Sequence, residues 1–244
     1  MPQPACLIIG AGDGLGAAIA RAFAREGLTV CVTRRPRNVS QVQDLAASIE
    51  AEGGKARAFG VDARSEEKMI ALVDQIEAEV GPLEVVVFNI GANVRFGVRE
   101  TTARVFTKVW EMACFAGFLA GREAARVMGP RGRGSILFTG ATASTRGREG
   151  YAAFASAKSG LRAIAQSMAR ELAPEGIHVA HVVVDGAIDG NFTRERMGNQ
   201  AQAMLDRDEI LKPDDIAEAF VALHRQKKSA WTFEMDVRPW TEIW

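Results

Sequence analysis

Apolar and polar positions along the chain follow two alternating rhythms. Short apolar runs ending in turn residues, "ACLIIG", "LTVCVT" and "KARAFGV", are each followed by a longer stretch in which apolar residues return every three or four positions: 14–26, 39–52 and 66–80. Short, bounded apolar runs read as buried strands, and the 3.6-residue period reads as amphipathic helix. The alternation continues through "LEVVVFN", one long helix over about 102–128, "GSILFTG", a helix over about 151–173, "IHVAHVVV", a helix opening at "KPDDIAEAF" and a last strand in "AWTFEMDV". Seven strands joined by helical crossovers predict an α/β fold. It is a Rossmann-like, doubly wound, seven-stranded parallel sheet covered on both faces, with ligands at the carboxyl ends of its strands. No repeat, low-complexity tract or linker interrupts it, so residues 1–244 are expected to form a single domain. One stretch breaks the rhythm. Residues 185–210 are polar, rich in Arg and Met, and follow a strand end, which predicts an irregular substrate lid.

Composition removes several function classes. At 244 residues and 48% hydrophobic, the chain can bury a full core. Thirty basic residues balance 30 acidic ones, so no global field draws nucleic acid or an anionic membrane, and a small-molecule substrate is the partner class left. Cys6, Cys31 and Cys114 lack metal-ligand spacing, so no metal is expected; the first two sit in strand-like runs as small hydrophobes. The opening "MPQPACLIIG" has no basic n-region, and no later run is apolar enough to span a bilayer. A soluble protein of the reducing cytoplasm is the expectation.

Candidate chemistry begins straight after the first strand. In "GAGDGLG", Gly10, Gly14 and Gly16, with Asp13 and Leu15 between them, lead directly into a helix. Glycines at a strand-to-helix turn let the backbone approach a pyrophosphate, whose charge sits against the unpaired amides of the helix N-terminus. A tight turn without a ligand would use the same residues. At the end of the second strand, where an acid selects NAD and arginine receives the 2′-phosphate of NADP, stands "VTRRPRN". Arg34 and Arg35 therefore favour NADP(H) over NAD(H), with a solvated basic loop as the rival explanation and Asp13 as a charge that must be paired.

These residues carry a resemblance to the short-chain dehydrogenase/reductase family over essentially the whole chain. Asp62 in "GVDARS" stands where the family's acid contacts adenine, and "FNIGA", with Asn89, Gly91 and Ala92, is similar to its N-N-A-G. Lys158 matches the lysine of Y-x-x-x-K, which the resemblance implies binds the nicotinamide ribose. Gly186 matches the glycine of a P-G pair whose proline is here Asp185. The resemblance implies an NAD(P)-dependent oxidoreductase, forming a homodimer or homotetramer through the fourth and fifth helices and the last strand, with Trp240 and Trp244 as apolar contacts. The chain departs from the family at its centre. Phe154 stands where the tyrosine belongs, Ala141 where the serine belongs, and Ala113 where an asparagine is expected, so that Phe154 and Ala141 become an apolar substrate wall.

Tyr151, the chain's only tyrosine, is the candidate replacement. In a helix from 151, Tyr151 and Lys158 would lie about 20° from eclipsed and roughly 10 Å apart along the axis. Within the same superfamily, enoyl-thioester reductases have a Y-x-x-x-x-x-x-K spacing similar to "YAAFASAK". A displaced phenol suits conjugated substrates, because hydride enters at one carbon while charge gathers on an oxygen farther away. Packing of an aromatic at a helix start would explain Tyr151 equally well. Thr139, Thr142 and Ser144 are alternative donors or simple turn caps, with Thr142 the one included among the catalytic candidates. Asp185 is a possible acid or amine binder. His181 reads as a core histidine, and Arg146 and Arg148 as a carboxylate attractor or a solvated loop. The leading expectation is reduction of a small apolar carbonyl or conjugated enoyl compound. The alternatives are ketone or imine reduction through Thr139, Thr142 or Asp185, and a dinucleotide-binding protein without turnover.

Overall fold

The computed structural model describes residues 3–243. Its first half alternates β1 (Ala5–Ile9), α1 (Leu15–Arg25), β2 (Thr29–Arg34), α2 (Val39–Ala51), β3 (Lys55–Gly60), α3 (Glu66–Glu79) and β4 (Leu83–Phe88). Then come α4 (Ala103–Trp110), α5 (Ala116–Met128), β5 (Gly134–Thr139), α6 (Ala152–Leu172), β6 (Ile177–Val184), α7 (Asn191–Met197), α8 (Gln200–Asp206), α9 (Pro213–His224) and β7 (Glu234–Val237). The strands form one parallel sheet in the order β3-β2-β1-β4-β5-β6-β7.

Side chains alternate between the two faces of a strand, and the core divides accordingly. Ile8, Val32, Val87 and Val182 pack under α1, α2 and α9, whereas Ile9, Val86, Phe88 and Phe138 pack under α3, α5 and α6. Because both faces are covered, the central strands read as nearly continuous apolar runs. Cys6 and Cys31 are fully buried in them as free thiols. Phe138 illustrates the packing: it is 0% exposed, its ring centroid lies 6.4 Å from that of Phe88, and α5 approaches so closely that a Cβ at Gly121 would stand 3.1 Å from its ring.

Three expectations need correction. The long helix over 102–128 is interrupted: residues Glu111–Phe115 form a wider π turn between α4 and α5, so Ala113 and Cys114 sit where helical spacing locally fails. Residues 185–210 are not irregular throughout, since α7 and α8 occupy much of them. The last strand is also shorter than "AWTFEMDV", pairing with β6 only over Glu234–Val237. Trp244 lies outside the described residues, and Trp240 is exposed, its Nε1 donating to the Arg207 carbonyl at 3.1 Å. Among the described residues no helix is long and apolar enough to cross a membrane, and no cluster of His, Cys, Asp or Glu could hold a metal ion.

The Phe138→Ala variant should lose about 3–5 kcal/mol of unfolding free energy in urea titrations, the usual cost of a cavity beneath a sheet. A loss below about 1 kcal/mol would mean that α5 collapses onto β5.

Candidate active site

Two clefts open at the carboxyl edge of the sheet on either side of β1 and β4, and they share Asn89, Ile90 and Gly91 as a common wall. The smaller, of about 280 Å³, is lined by Gly10, Arg34, Arg35 and Asp62; the larger, of about 1160 Å³, by Asp13, Gly14, Leu15, Ala141, Thr142, Tyr151, Phe154, Lys158 and Gly186. Most residues singled out from the sequence therefore line one or other of these two adjoining clefts.

The glycine loop between β1 and α1 forms part of both linings. Gly10 adopts φ +92°, and a Cβ on it would lie 2.9 Å from the Asn89 carbonyl oxygen. At Gly16, which faces neither cleft, a Cβ would meet the Gly10 oxygen at 2.5 Å, so helix α1 can start this close to the loop only with glycine. Gly14 has open space around it and precedes α1, whose first amides have no side-chain cap. Such a loop is a preformed anion cradle. Asn89 braces it, Nδ2 donating to the Gly10 oxygen at 3.1 Å.

At the far end of the small cleft, Arg34 bonds Gln41, and its guanidinium lies 3.9 Å from where a Cβ of Gly12 would be. Arg35 makes no side-chain hydrogen bond or ion pair among the described residues. Burial first, and then the nearby Arg37 and Arg64, depress its pKa, against the opposing pull of Asp62. Asp62 is held by Arg64, whose Nε and Nη2 donate to its two oxygens at 3.0 and 2.7 Å, and that bonding keeps the carboxyl below its ordinary value. Arg64, only two positions on in "GVDARS", was a partner available in the sequence. Asp13 does not pair with an arginine: its carboxylate accepts from Asn191 Nδ2 at 2.8 Å, tying the glycine loop to α7.

In the larger cleft Lys158 is 2% exposed, and its Nζ donates to the backbone oxygens of Ile90 at 3.0 Å and Thr139 at 2.8 Å. With no carboxylate beside it, burial lowers its pKa to about 7. Phe154 is 7% exposed, and it packs with Ala113, Cys114 and Ala157 in a small apolar cluster that Ala141 and Tyr151 adjoin. The three replaced identities thus form one patch. Tyr151 is not in the helix: it precedes α6 at φ −115°, ψ 20°, so helical periodicity does not set its direction. Its ring lies under the Arg95 guanidinium, 5.9 Å from centroid to carbon.

The remaining candidates are largely engaged. Thr142 donates its hydroxyl to Asp185 Oδ1 at 2.5 Å, and Arg146 Nη2 donates to Oδ2 at 2.5 Å. Asp185 is 2% exposed and does not line the cleft, so the expected acid beside the nicotinamide is instead a buried counter-ion. Ser144 caps its own turn by accepting from the Ala141 amide at 3.1 Å. The Thr139 hydroxyl is buried without a partner although the residue lines the cleft. His181 is a core histidine, its Nδ1 3.0 Å from Glu234, its Nε2 unpaired beside Gly140, and burial pushes it down to about 4.

The family model for short chain dehydrogenases matches residues 4–201. The chain belongs to the short-chain dehydrogenase family. Among curated relatives of this family, momilactone A synthase of Oryza sativa subsp. japonica is 32% identical over 231 residues, covering 89% of this chain and 81% of that protein. Among solved structures, a short-chain dehydrogenase from Rhodopseudomonas palustris is 50% identical, with a TM-score of 0.84 over 97% of this chain and 99% of that one. A metagenomic short-chain oxidoreductase in complex with NADP shares the fold, with a TM-score of 0.79 at 24% identity over 98% of both chains. The fold is thus that of short-chain dehydrogenases.

Lys158 also makes a prediction about stability. Between its folded value of about 7 and its ordinary value of 10.5, the unfolded chain binds a proton that the folded chain does not. Stability contributed through this group therefore rises with pH in that window, by about 1.4 kcal/mol per pH unit. The buried thiols, all raised, act in the opposite sense only above the ordinary thiol value of 9.0. From about pH 7 to 9 the ligand-free protein should gain stability relative to Lys158→Met with that slope. Identical pH slopes for the two proteins in urea titrations would show that the amine is charged in the fold.

Proposed function

We propose that the chain is an NADP(H)-dependent oxidoreductase that reduces a small conjugated enoyl or carbonyl substrate, with Tyr151 serving in place of the usual hydroxyl at 154. The observation that carries this reading is that Tyr151, the chain's one phenol, lines the same cleft as Lys158, Phe154 and Ala141. When bound, the nicotinamide supplies a hydride, so the substrate double bond gains that hydride at one atom and a proton at the other while the dinucleotide is oxidised.

The chain's own residues hold, orient and exclude water. Gly10, Gly14 and Leu15 cradle the pyrophosphate with the first amides of α1, while Asn89 and Gly91 flank the cofactor between the clefts. Lys158 would donate to a ribose hydroxyl, Asp62 would meet the adenine, and Gly186 would line the nicotinamide end of the cleft, its missing side chain making room for Pro239. Arg35, and Arg34 beside it, receive the 2′-phosphate; the unpaired state of Arg35 supports NADP(H) over NAD(H), as does a fold relative solved with NADP. Phe154 and Ala141 keep water from the reacting bond. Tyr151 donates a hydrogen bond to the oxygen on which charge gathers, beyond the carbon that receives hydride. Residues 185–210 act as the lid, latched to the glycine loop through Asn191 and Asp13. Exposed Phe106, Trp110 and Phe118, with Phe115 stacked on the latter two, support a homodimer or homotetramer in which the 102–128 segment, α4 and α5, takes part beside α6 and β7.

One observation favours a second donor. Thr142 and Asp185 satisfy each other, but the Thr139 hydroxyl is buried without a partner in a residue that lines the cleft, which suits a carbonyl or imine bound closer to the sheet.

NADPH consumption against matched enones, ketones and imines tests these roles. Tyr151→Phe should lower kcat on the preferred enone by about 100-fold with KM little changed, the scale for losing one oxyanion donor. Unchanged turnover in that variant, with loss in Thr139→Val, would transfer the role to Thr139. Stabilisation by NADPH without consumption on any panel would make the chain a binding protein.

Arg35→Ala should weaken NADPH binding by about 10-fold or more while leaving NADH binding unchanged, as expected for loss of a charge-assisted phosphate contact. Equal losses for both dinucleotides in calorimetry would remove Arg35 from phosphate recognition.

A further inference from the structure

The wall of the larger cleft carries a charge arrangement that hydride transfer does not use. Arg146 and Arg148 both line it. Arg146 is fixed from behind: its Nη2 lies 2.5 Å from Asp185 Oδ2, and Asp185, 2% exposed, also receives the Thr142 hydroxyl. The counter-ion is buried off the wall while the guanidinium borders the cavity, so the cation is oriented before any ligand arrives. Arg148 is mostly exposed, and its one ion pair among the described residues is a distant one.

That distant partner is informative. Glu242, in the segment after β7, brings Oε1 to 3.8 Å from Arg146 Nη2 and 3.9 Å from Arg148 Nη2. A single carboxylate oxygen of the chain itself is drawn between two cavity arginines, yet both distances are too long for hydrogen bonds. The segment is held elsewhere, by the Glu242 amide donating to the Pro239 oxygen at 3.0 Å and by Trp240 Nε1 bonding the Arg207 oxygen. Tethered this way, Glu242 stops short of the geometry that a free carboxylate can reach.

We propose that Arg146 and Arg148 form a seat for a carboxylate carried by the substrate, and that Glu242 is the internal carboxylate this group displaces. The inference rests on reading the cleft as a hydride-transfer site, and it adds the substrate's class: an oxo or enoyl acid, anionic at one end and reducible at the other. Two guanidiniums in bonding range of one anion provide charge-assisted contacts of about twice the strength of neutral ones. Phe154 and Ala141 give the same cavity an apolar wall for the remainder of such a molecule.

Acetylacrylate, which carries both a conjugated C=C and a C=O, and its methyl ester form a matched pair of probes. Calorimetric titration into the NADP+-loaded protein should show the acid binding at least about 10-fold more tightly than the ester, the scale of a hydrogen bond to a charged group. Arg148→Gln should erase that preference while keeping ester affinity and NADP+ affinity, and Glu242→Gln should strengthen binding of the acid. Equal affinities for acid and ester, an acid preference that survives in Arg148→Gln, or binding of neither probe would each overturn the seat. A protein that takes up no NADP+ would instead overturn the hydride-transfer reading on which the seat depends.

Discussion

A parallel sheet brings the ends of all its strands to one edge, and at β1 the winding of the chain reverses, with β2 and β3 on one side and β4 onward on the other. The connections after β1 and β4 leave toward opposite faces and cannot close over the gap between them. Everything in the site follows from that opening. Its floor is backbone, so whatever binds there must be matched by amides, carbonyls and the few side chains that the flanking helices project into it. Gly10 and Gly16 matter because the loop and α1 come within van der Waals contact of each other and of Asn89. Lys158 matters because it reaches from α6 to the carbonyls of Ile90 and Thr139, bonding together the segments after β4 and at the end of β5.

The apolar replacements are one event in physical terms. Ala113 and Phe154 share a buried cluster, and Ala141 packs against it. A half-satisfied polar network in a low-dielectric site costs more than none, because each orphaned donor or acceptor keeps its desolvation penalty. With apolar groups at all three positions, none of them leaves a donor or acceptor unpaired in this patch. The π turn at Glu111–Phe115 falls in the same place and sets Cys114 against α6, its Sγ 2.9 Å from where a Cβ at Gly160 would be.

How much of this was legible in the sequence follows from the range of the interactions. Element types and the glycine cradle depend on spacings of a few residues, and the short apolar runs and the 3.6-residue rhythm located every strand and the long helices. Lys158 and the apolar trio were likewise readable against the family pattern. Long-range polar pairings were not. Asp13 meets Asn191 from 178 positions away and Asp185 meets Arg146 from 39 away, and no local pattern encodes either. Tyr151 shows the limit at short range. A one-residue difference in the start of α6 removes it from the helical face on which periodicity would place it, because Gly150, at φ +81°, turns the chain just before the helix.

The electrostatics of the cleft change along its length, and the change bears on how such a site handles charge. At the small cleft, Arg35 is crowded by other arginines while the carboxylate of Asp62 is committed to Arg64; at the Arg146 end, each guanidinium has a carboxylate behind or beside it. Between them, Lys158 has two carbonyls and no counter-ion, and burial brings it to about 7. An amine balanced near neutrality responds to its surroundings: negative charge arriving beside it draws a proton on, and removal of that charge lets the proton go. In the proposed reaction, negative charge grows on the substrate oxygen and disappears when the product is protonated. A permanent ion pair at this position would hold Lys158 charged throughout and blunt that response. The carbonyls of Ile90 and Thr139 orient the amine without fixing its charge, and that distinguishes this wall of the cleft from the arginine-lined ends.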